Sequence, residues 1–454
     1  MIKNDLLAAF TKEIIDLCGS SALSEIDFHI ALSGGLDSVV LLHLFARLRE
    51  EIEPNLTISA HHINHGLSDN ASSWSDFCSQ LCNGLTIAFT CSSVNLVKQS
   101  RTSLEALARD KRYACLTKGL SANSYLVSAH HQDDQLETVL LALKRGAGNT
   151  GLQGIRSKQK LKSGHLIRPL LNSSRQQLES YAHDFNLHWI EDESNRDQVF
   201  DRNYIRHTIS PLLKARWPAI AKTVARSASI CQEQQQLLDE IAQSDFTVCS
   251  FYLLNQNVLI ISKLKALSIA RRNNVLRYWF KKNNLNYPSS KQLLSVWTDM
   301  VLASDHASPK MQFKGVTLRR YREHLYLVED QLVADFYEPV IWTGEPQINL
   351  LDGRVKLCFQ LVEEQKGALS IQPNSEVKIC FRQHLPAKLS CTPIGRSGSR
   401  SVKKLLHEYH VPPWLRDLVP FILIDGKLQE AVGLWQCLAS PTDEHCDYLT
   451  ISFA

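Results

Sequence analysis

Along the first 215 residues, short apolar runs are separated by longer stretches whose apolar positions recur every three to four residues. The runs at 28–32, 56–63, 86–91 and 125–129 read as strands, and the stretches at 39–50, 72–83, 104–120 and 134–145 as helices. Strand followed by helix, repeated, predicts a parallel, doubly wound α/β sheet closed by right-handed crossovers. Residues 1–18 interleave Lys3, Asp5, Lys12, Glu13 and Asp16 with apolar positions, which fits an amphipathic helix and not a secretory leader. Beyond Trp217-Pro218 the pattern turns helical, at 219–243, 264–280 and 291–302, and β-rich runs appear from about 312 (316–320, 325–328). From about 348 strands mix with one helix at 401–408. The expected organisation is an α/β domain at 1–215, a mainly helical middle domain at 216–335 and a small α+β domain at 345–454.

With 454 residues the chain exceeds the size at which one core keeps growing, about 250–300 residues. Hydrophobic residues at 44% and charged residues at 21% suit a globular protein. No apolar run reaches the roughly 20 residues that span a bilayer, so no membrane partner is expected. The twelve cysteines include no Cys-x-x-Cys pair, which points to a reduced, cytoplasmic setting. A formal charge of +4 permits a nucleic-acid partner without requiring one, so local clusters matter more than the total.

The first strand runs into Ser33-Gly34-Gly35-Leu36-Asp37-Ser38, and an apolar helix opens at Val39. Adjacent glycines let backbone N–H groups turn inward, the serines add hydroxyls, and the helix N-terminus adds a positive dipole end: an anion site. No lysine follows the glycines and there is no G-x-G-x-x-G, so this is neither a Walker loop nor a dinucleotide fingerprint. Asp37 would repel phosphate unless a cation lies between them, which argues for Mg²⁺ there. The loop resembles that of the PP-loop ATP pyrophosphatases, which implies cleavage of ATP between its α and β phosphates and binding by Ser33, Gly34, Gly35, Leu36, Asp37 and Ser38.

Further runs narrow the acceptor. His61-His62-Ile63-Asn64-His65-Gly66-Leu67 ends the second strand, where side chains border the ligand crevice of a doubly wound sheet, and this places His62 against the nucleotide. Leu104-Glu105-Ala106-Leu107-Ala108-Arg109-Asp110-Lys111-Arg112-Tyr113 sets Arg109, Arg112 and Tyr113 on one helix face. Ser128-Ala129-His130-His131-Gln132-Asp133-Asp134-Gln135-Leu136-Glu137-Thr138 follows the fourth strand and holds more titratable groups than a helix cap needs. Lys144-Arg145-Gly146-Ala147-Gly148 opens a glycine-rich loop, and Arg202-Asn203-Tyr204-Ile205-Arg206-His207 adds cations. Together these runs resemble the tRNA(Ile)-lysidine synthetase family across nearly the whole chain. The resemblance implies adenylation of the C2 oxygen of the wobble cytidine in a CAU-anticodon tRNA(Ile), then displacement of AMP by free L-lysine. It places Arg112, His131, Asp133 and Asp134 with Asp37 in the active site and suggests a monomer or homodimer. Which carboxylate takes the amine proton stays open.

Contacts to tRNA are expected from Lys144, Arg145, Arg202 and Arg206, and from residues 263–282, where Lys263, Lys265, Arg271, Arg272, Arg277, Lys281 and Lys282 carry no acidic neighbour within the segment. Lys314, Arg319, Arg320 and Arg322 extend that surface. In the last domain Arg396, Arg400, Lys403 and Lys404 resemble the family's tRNA-binding run, ahead of Val411-Pro412-Pro413-Trp414. Rival readings are a PP-loop tRNA thiolase, which would need Cys-x-x-Cys pairs or a sulfur-bearing cysteine, an RNA chaperone without turnover, and a glutamine-dependent amidotransferase synthetase, which would need an amidase domain or ammonia supply.

Overall fold

The computed structural model describes residues 2–19, 22–64, 70–94, 111–191, 197–254, 256–304, 307–330, 338–351, 353, 355–363, 367–438 and 447–453. The expectations placed on His65, Gly66, Leu67, Glu105, Arg109 and residues 192–196 lie outside them. Two compact units, 1–237 and 238–454, divide the chain.

In the first unit the apolar runs become β1 (Asp27–Ala31), β2 (Thr57–Asn64), β3 (Ala88–Ser93) and β4 (Ser124–Val127), joined by two further strands, β5 (Lys158–Lys160) and β6 (His165–Ile167). The sheet order is β3-β2-β1-β4-β6-β5. All neighbours pair in parallel except β5 with β6. Chain order reverses between β1 and β4, so the loops leaving those two strands flank the crevice where a doubly wound sheet binds ligands. Helix Leu36–Glu51 follows β1 and buries Val39, Val40, Leu41, Leu42, Leu44, Phe45, Ala46 and Leu48. Phe45 meets Phe10 and Phe28 with ring centroids 5.1 Å apart in both pairs, tying helix Ile2–Cys18 and β1 to it. Helix Arg175–Asp184 is set by a capping box between Ser174 and Gln177.

In the second unit, helices Ile269–Lys282 and Ser290–Ser295 accompany a five-stranded sheet ordered β7-β8-β11-β10-β9. Its strands are β7 (Ser250–Leu253), β8 (Gln256–Ile260), β9 (Lys310–Phe313), β10 (Val316–Tyr321) and β11 (His324–Glu329). The hairpin β7–β8 is absent from the sequence reading. Its turn places Leu254 at φ 46°, a conformation that turn-forming Gly or Asn usually marks and leucine does not. Further on, a five-stranded and a four-stranded sheet carry helix Val402–Glu408, whose N-cap is Ser401. Val258 and Tyr326 share a core with Leu405, Leu406 and Trp435, so the β7–β11 sheet and the C-terminal elements pack as one body.

Arg320, expected on an RNA surface, is 1% exposed. Its guanidinium donates to the carbonyls of Met300 (3.2 Å), Val301 (3.3 Å), Ala303 (2.6 Å) and Arg322 (2.9 Å), closing the end of the preceding helix. Arg320→Met keeps the stem but leaves those acceptors without their donor. It is expected to destabilise the second unit by about 2–4 kcal/mol, read as a lowered urea midpoint. A midpoint equal to wild type would refute the capping role. No helix among the described residues is long and apolar enough to cross a membrane.

Candidate active site

The loop after β1 is held open by its own side chains. Ser38 Oγ accepts from the N–H of Ser33 (3.2 Å) and of Gly34 (3.1 Å) and donates to Gly35 O (2.9 Å), while Ser33 Oγ accepts from Gly35 N–H (3.3 Å). Gly34 has φ +86°, which calls for glycine, and a Cβ there would also press on Ile190 Cδ1 at 2.8 Å. Gly35 caps helix Leu36–Glu51, which buries Leu36 and Ser38 and leaves Asp37 partly exposed at the mouth. These N–H groups already point inward on hydroxyls, so phosphate oxygens can replace hydroxyl acceptors without rebuilding the backbone.

The loop after β4 supplies the opposite wall. His131 is the N-cap of helix Gln132–Lys144: its Nδ1 accepts from Asp133 N–H (3.2 Å) and its own N–H donates to Asp134 Oδ2 (3.0 Å). With Nδ1 accepting, the ring proton sits on Nε2, which lies 3.6 Å from Asp37 Oδ2 and 3.5 Å from Asp134 Oδ2. One imidazole thus spans the two loops. Burial opposes its protonation, but the hydrogen bond to Asp37 and the charges of Asp134, Asp37 and Asp133 outweigh that and raise its pKa. The neighbouring His130 is neutral, pushed down to about 3 chiefly by burial.

Three buried carboxylates, Asp133, Asp134 and Glu137, and the partly exposed Asp37 are each neutralised by a cation far away in the chain. Arg206 donates to Asp134 Oδ1 (2.9 Å) and to both oxygens of Glu137 (2.6 and 3.0 Å), and Arg202 donates to Asp134 Oδ1 (3.1 Å) and Glu137 Oε2 (2.9 Å). Lys214 donates to Asp133 Oδ2 at 2.6 Å. The fourth, Asp37, takes both oxygens to Arg175 Nη1, at 2.8 and 2.7 Å. For Asp134 burial works upward, yet His131, His130 and Arg202 hold its pKa down to about 2, so it is ionised at neutral pH.

These contacts sort the expected residues. Ser33, Gly34, Gly35, Leu36, Asp37 and Ser38 form the loop, and His131, Asp133 and Asp134 face it. Arg112 is exposed, and its charge reaches His130. His62 is a correction: it stands inside β2 at 4% exposure, with Nδ1 on Leu32 O (2.9 Å) and near Cys78 Sγ (3.7 Å). It supports the loop from beneath and does not face the crevice. Arg202 and Arg206, expected on tRNA phosphate, are committed to Asp134 and Glu137. Burial pushes the Cys78 thiol up to about 12.

Of the cations expected to hold RNA, Lys144 pairs with Asp201 and Arg145 is exposed. The run 263–282 was read as lacking counter-charges, and helix Ile220–Cys249 supplies them: Asp245 to Arg271 and Asp239 to Lys281 (2.5 Å). Arg272 lies 3.3 Å over the Trp297 ring, and Arg277 is half-buried. Arg396 donates to Glu408 (2.6 Å) and Arg400 lies 3.7 Å from the same carboxylate, while Lys403 and Lys404 project from their helix into solvent. Sequence reasoning missed Arg175 and Lys214, which no local motif marks. It passed over Glu137, which lies one helical turn beyond Asp133 in the run it had singled out.

Residues 6–213 match a model described as a PP-loop domain, 259–326 a TilS substrate binding domain, and 377–452 a TilS substrate C-terminal domain. The tRNA(Ile)-lysidine synthase of Serratia proteamaculans is 40% identical over 417 residues, covering 91% of this chain and 92% of that protein. That of Coxiella burnetii is 38% identical over 428 residues, covering 94% and 93%.

Proposed function

Since the chain belongs to the tRNA(Ile)-lysidine synthase family, we propose that it joins free L-lysine to C2 of the wobble cytidine in a CAU-anticodon tRNA(Ile), using ATP, in the cytoplasm. The observation that carries the chemistry is the meeting of an anion loop and an acidic, histidine-capped turn across the β1/β4 switch point. Ser33 to Ser38 receive the phosphates. The C2 oxygen attacks the α-phosphorus, a new P–O bond forms and pyrophosphate leaves. The lysine ε-amine then attacks C2, the C–O bond to AMP breaks and the amine loses a proton. His131 Nε2, 3.5 Å from ionised Asp134, orients a carboxylate that can hold the incoming ammonium. Arg112, exposed and near enough for its charge to be felt at His130, stabilises charge developing on the transferred phosphate.

Mg²⁺ fits this donor set in one way. Among the described residues no three metal-ligating side chains gather, so an ion would rest on Asp37 and take its other ligands from phosphate and water, a common mode for this cation. Bound there, it supplies charge neutralisation on the departing pyrophosphate.

The test is incubation with ATP, labelled lysine and CAU-anticodon tRNA(Ile). Label should enter the RNA with AMP and pyrophosphate released in equal amounts. Pyrophosphate release without label in the RNA would leave adenylation standing and remove lysine as the acceptor.

A further inference from the structure

Asp37 presents a negative charge to the place where ATP's phosphates must sit, and in this structure it does not do so bare. Both its oxygens receive Nη1 of Arg175, at 2.8 and 2.7 Å, while Nε of the same guanidinium donates to Glu179 at 2.9 Å. Glu179 sits one turn further along helix Arg175–Asp184 and fixes the fork from behind. The capping box of Ser174 and Gln177 fixes the first turn of that helix, so the arginine is aimed by the backbone as well as by its partner. Its side chain is 36% exposed and that of Asp37 28%, so the pair lies at the mouth of the loop and not in the core. An ion pair of that exposure contributes little to folding, and its effect is on the potential that an arriving phosphate meets.

We propose that Arg175 is a positioning residue for the nucleotide: it is the resident counter-ion of Asp37, lets the loop accept ATP's phosphate chain before a divalent cation is in place, and shares that carboxylate with the cation afterwards. The inference rests on the loop being an ATP site. It assigns a role in the reaction to a residue 138 positions away from Asp37 in the chain. One consequence distinguishes it from an ordinary phosphate ligand or a scaffold residue. If Arg175 works by neutralising Asp37, a bound cation does the same, and the loss caused by removing the arginine should largely vanish when the metal is present.

ATP is therefore titrated into the full-length protein by calorimetry, once with a chelator and once with saturating Mg²⁺, for wild type, Arg175→Ala and Arg175→Lys. Arg175→Ala should bind ATP about tenfold or more weakly in chelator, the worth of one charge-assisted contact, and near wild-type strength in Mg²⁺. Arg175→Lys should recover most of the metal-free affinity, since it keeps the charge. Arg175→Gln, which keeps the stem without the charge, carries the same test if the alanine variant does not fold. Equal losses in both buffers, or no loss in either, would overturn the proposal. Wild-type protein that binds ATP in neither buffer would instead overturn the reading of the loop itself.

Discussion

Asp37→Ala should lower tRNA-dependent pyrophosphate release by roughly a hundred- to a thousandfold while leaving tRNA binding intact. The split follows from position. Asp37 stands at the mouth of the phosphate loop, and its ion pairs are with His131 Nε2 at 3.6 Å and with Arg175, neither of them expected to meet tRNA. Removing its charge also removes a repulsion toward phosphate, so the KM for ATP should fall or hold while kcat collapses. That is the signature of a group acting on the departing pyrophosphate and not on ground-state binding. Initial rates of pyrophosphate release, with filter binding of tRNA in parallel, measure both halves. Full activity in Asp37→Ala would remove the residue from the reaction, and tRNA binding lost along with activity would mean that the loop's integrity, not its chemistry, had been destroyed.

What the sequence discloses and what it hides divide along a physical line. The loop 33–38 and the turn 130–134 were legible because their work is local: Gly34 must adopt φ +86°, and His131 and Asp134 cap one helix end reciprocally within four residues. The parallel sheet was legible for the same reason, as each crossover writes its own strand-helix period. Hidden were the groups that act across the fold. Arg175 reaches Asp37 over 138 positions and Lys214 reaches Asp133 over 81. Charge in a window likewise misled: residues 263–282 contain no acid, yet Asp239 and Asp245 of helix Ile220–Cys249 lie against them. His62 misled through pattern, since a histidine near a strand end looks aimed at the crevice, whereas the observed strand runs on to Asn64 and buries it under Leu32. Arg320 shows the same limit, because a basic residue in a β-rich run reads as surface until its Nη1 is found closing a helix end.

The second large effect is expected at Glu137. It is 2% exposed and receives Nε of both Arg202 and Arg206, while Asp134, at 10% side-chain exposure, receives their Nη2 groups. Two carboxylates thus balance two guanidiniums across a gap of 65 or more positions, and Glu137 is the member with least access to water. Glu137→Ala leaves both arginines, 27% and 35% exposed, with one carboxylate between them, an imbalance that costs about 3 kcal/mol, the low end for a broken buried pair because the guanidiniums keep partial access to water. At roughly 2–4 °C per kcal/mol for a unit of this size, the melting transition of the first unit should fall by about 10 °C. The network also sets a pH dependence whose sign is fixed. The pKa of Asp134 is about 2, below its ordinary value of 3.8, so its contribution is complete above about pH 4 and is lost as pH falls toward 2. Acid should therefore erase the contribution of Asp134 in wild type before it touches the arginines. Glu137→Leu combined with Arg206→Met should be less damaged than Glu137→Ala alone, because removing both partners avoids the stranded charge. If the double variant is instead the less stable of the two, the pair itself stabilises the fold and the imbalance argument fails. In either case lysine transfer should suffer more than pyrophosphate release. The arginines that lose Glu137 are those holding Asp134, whereas Asp37 keeps its own partner in Arg175.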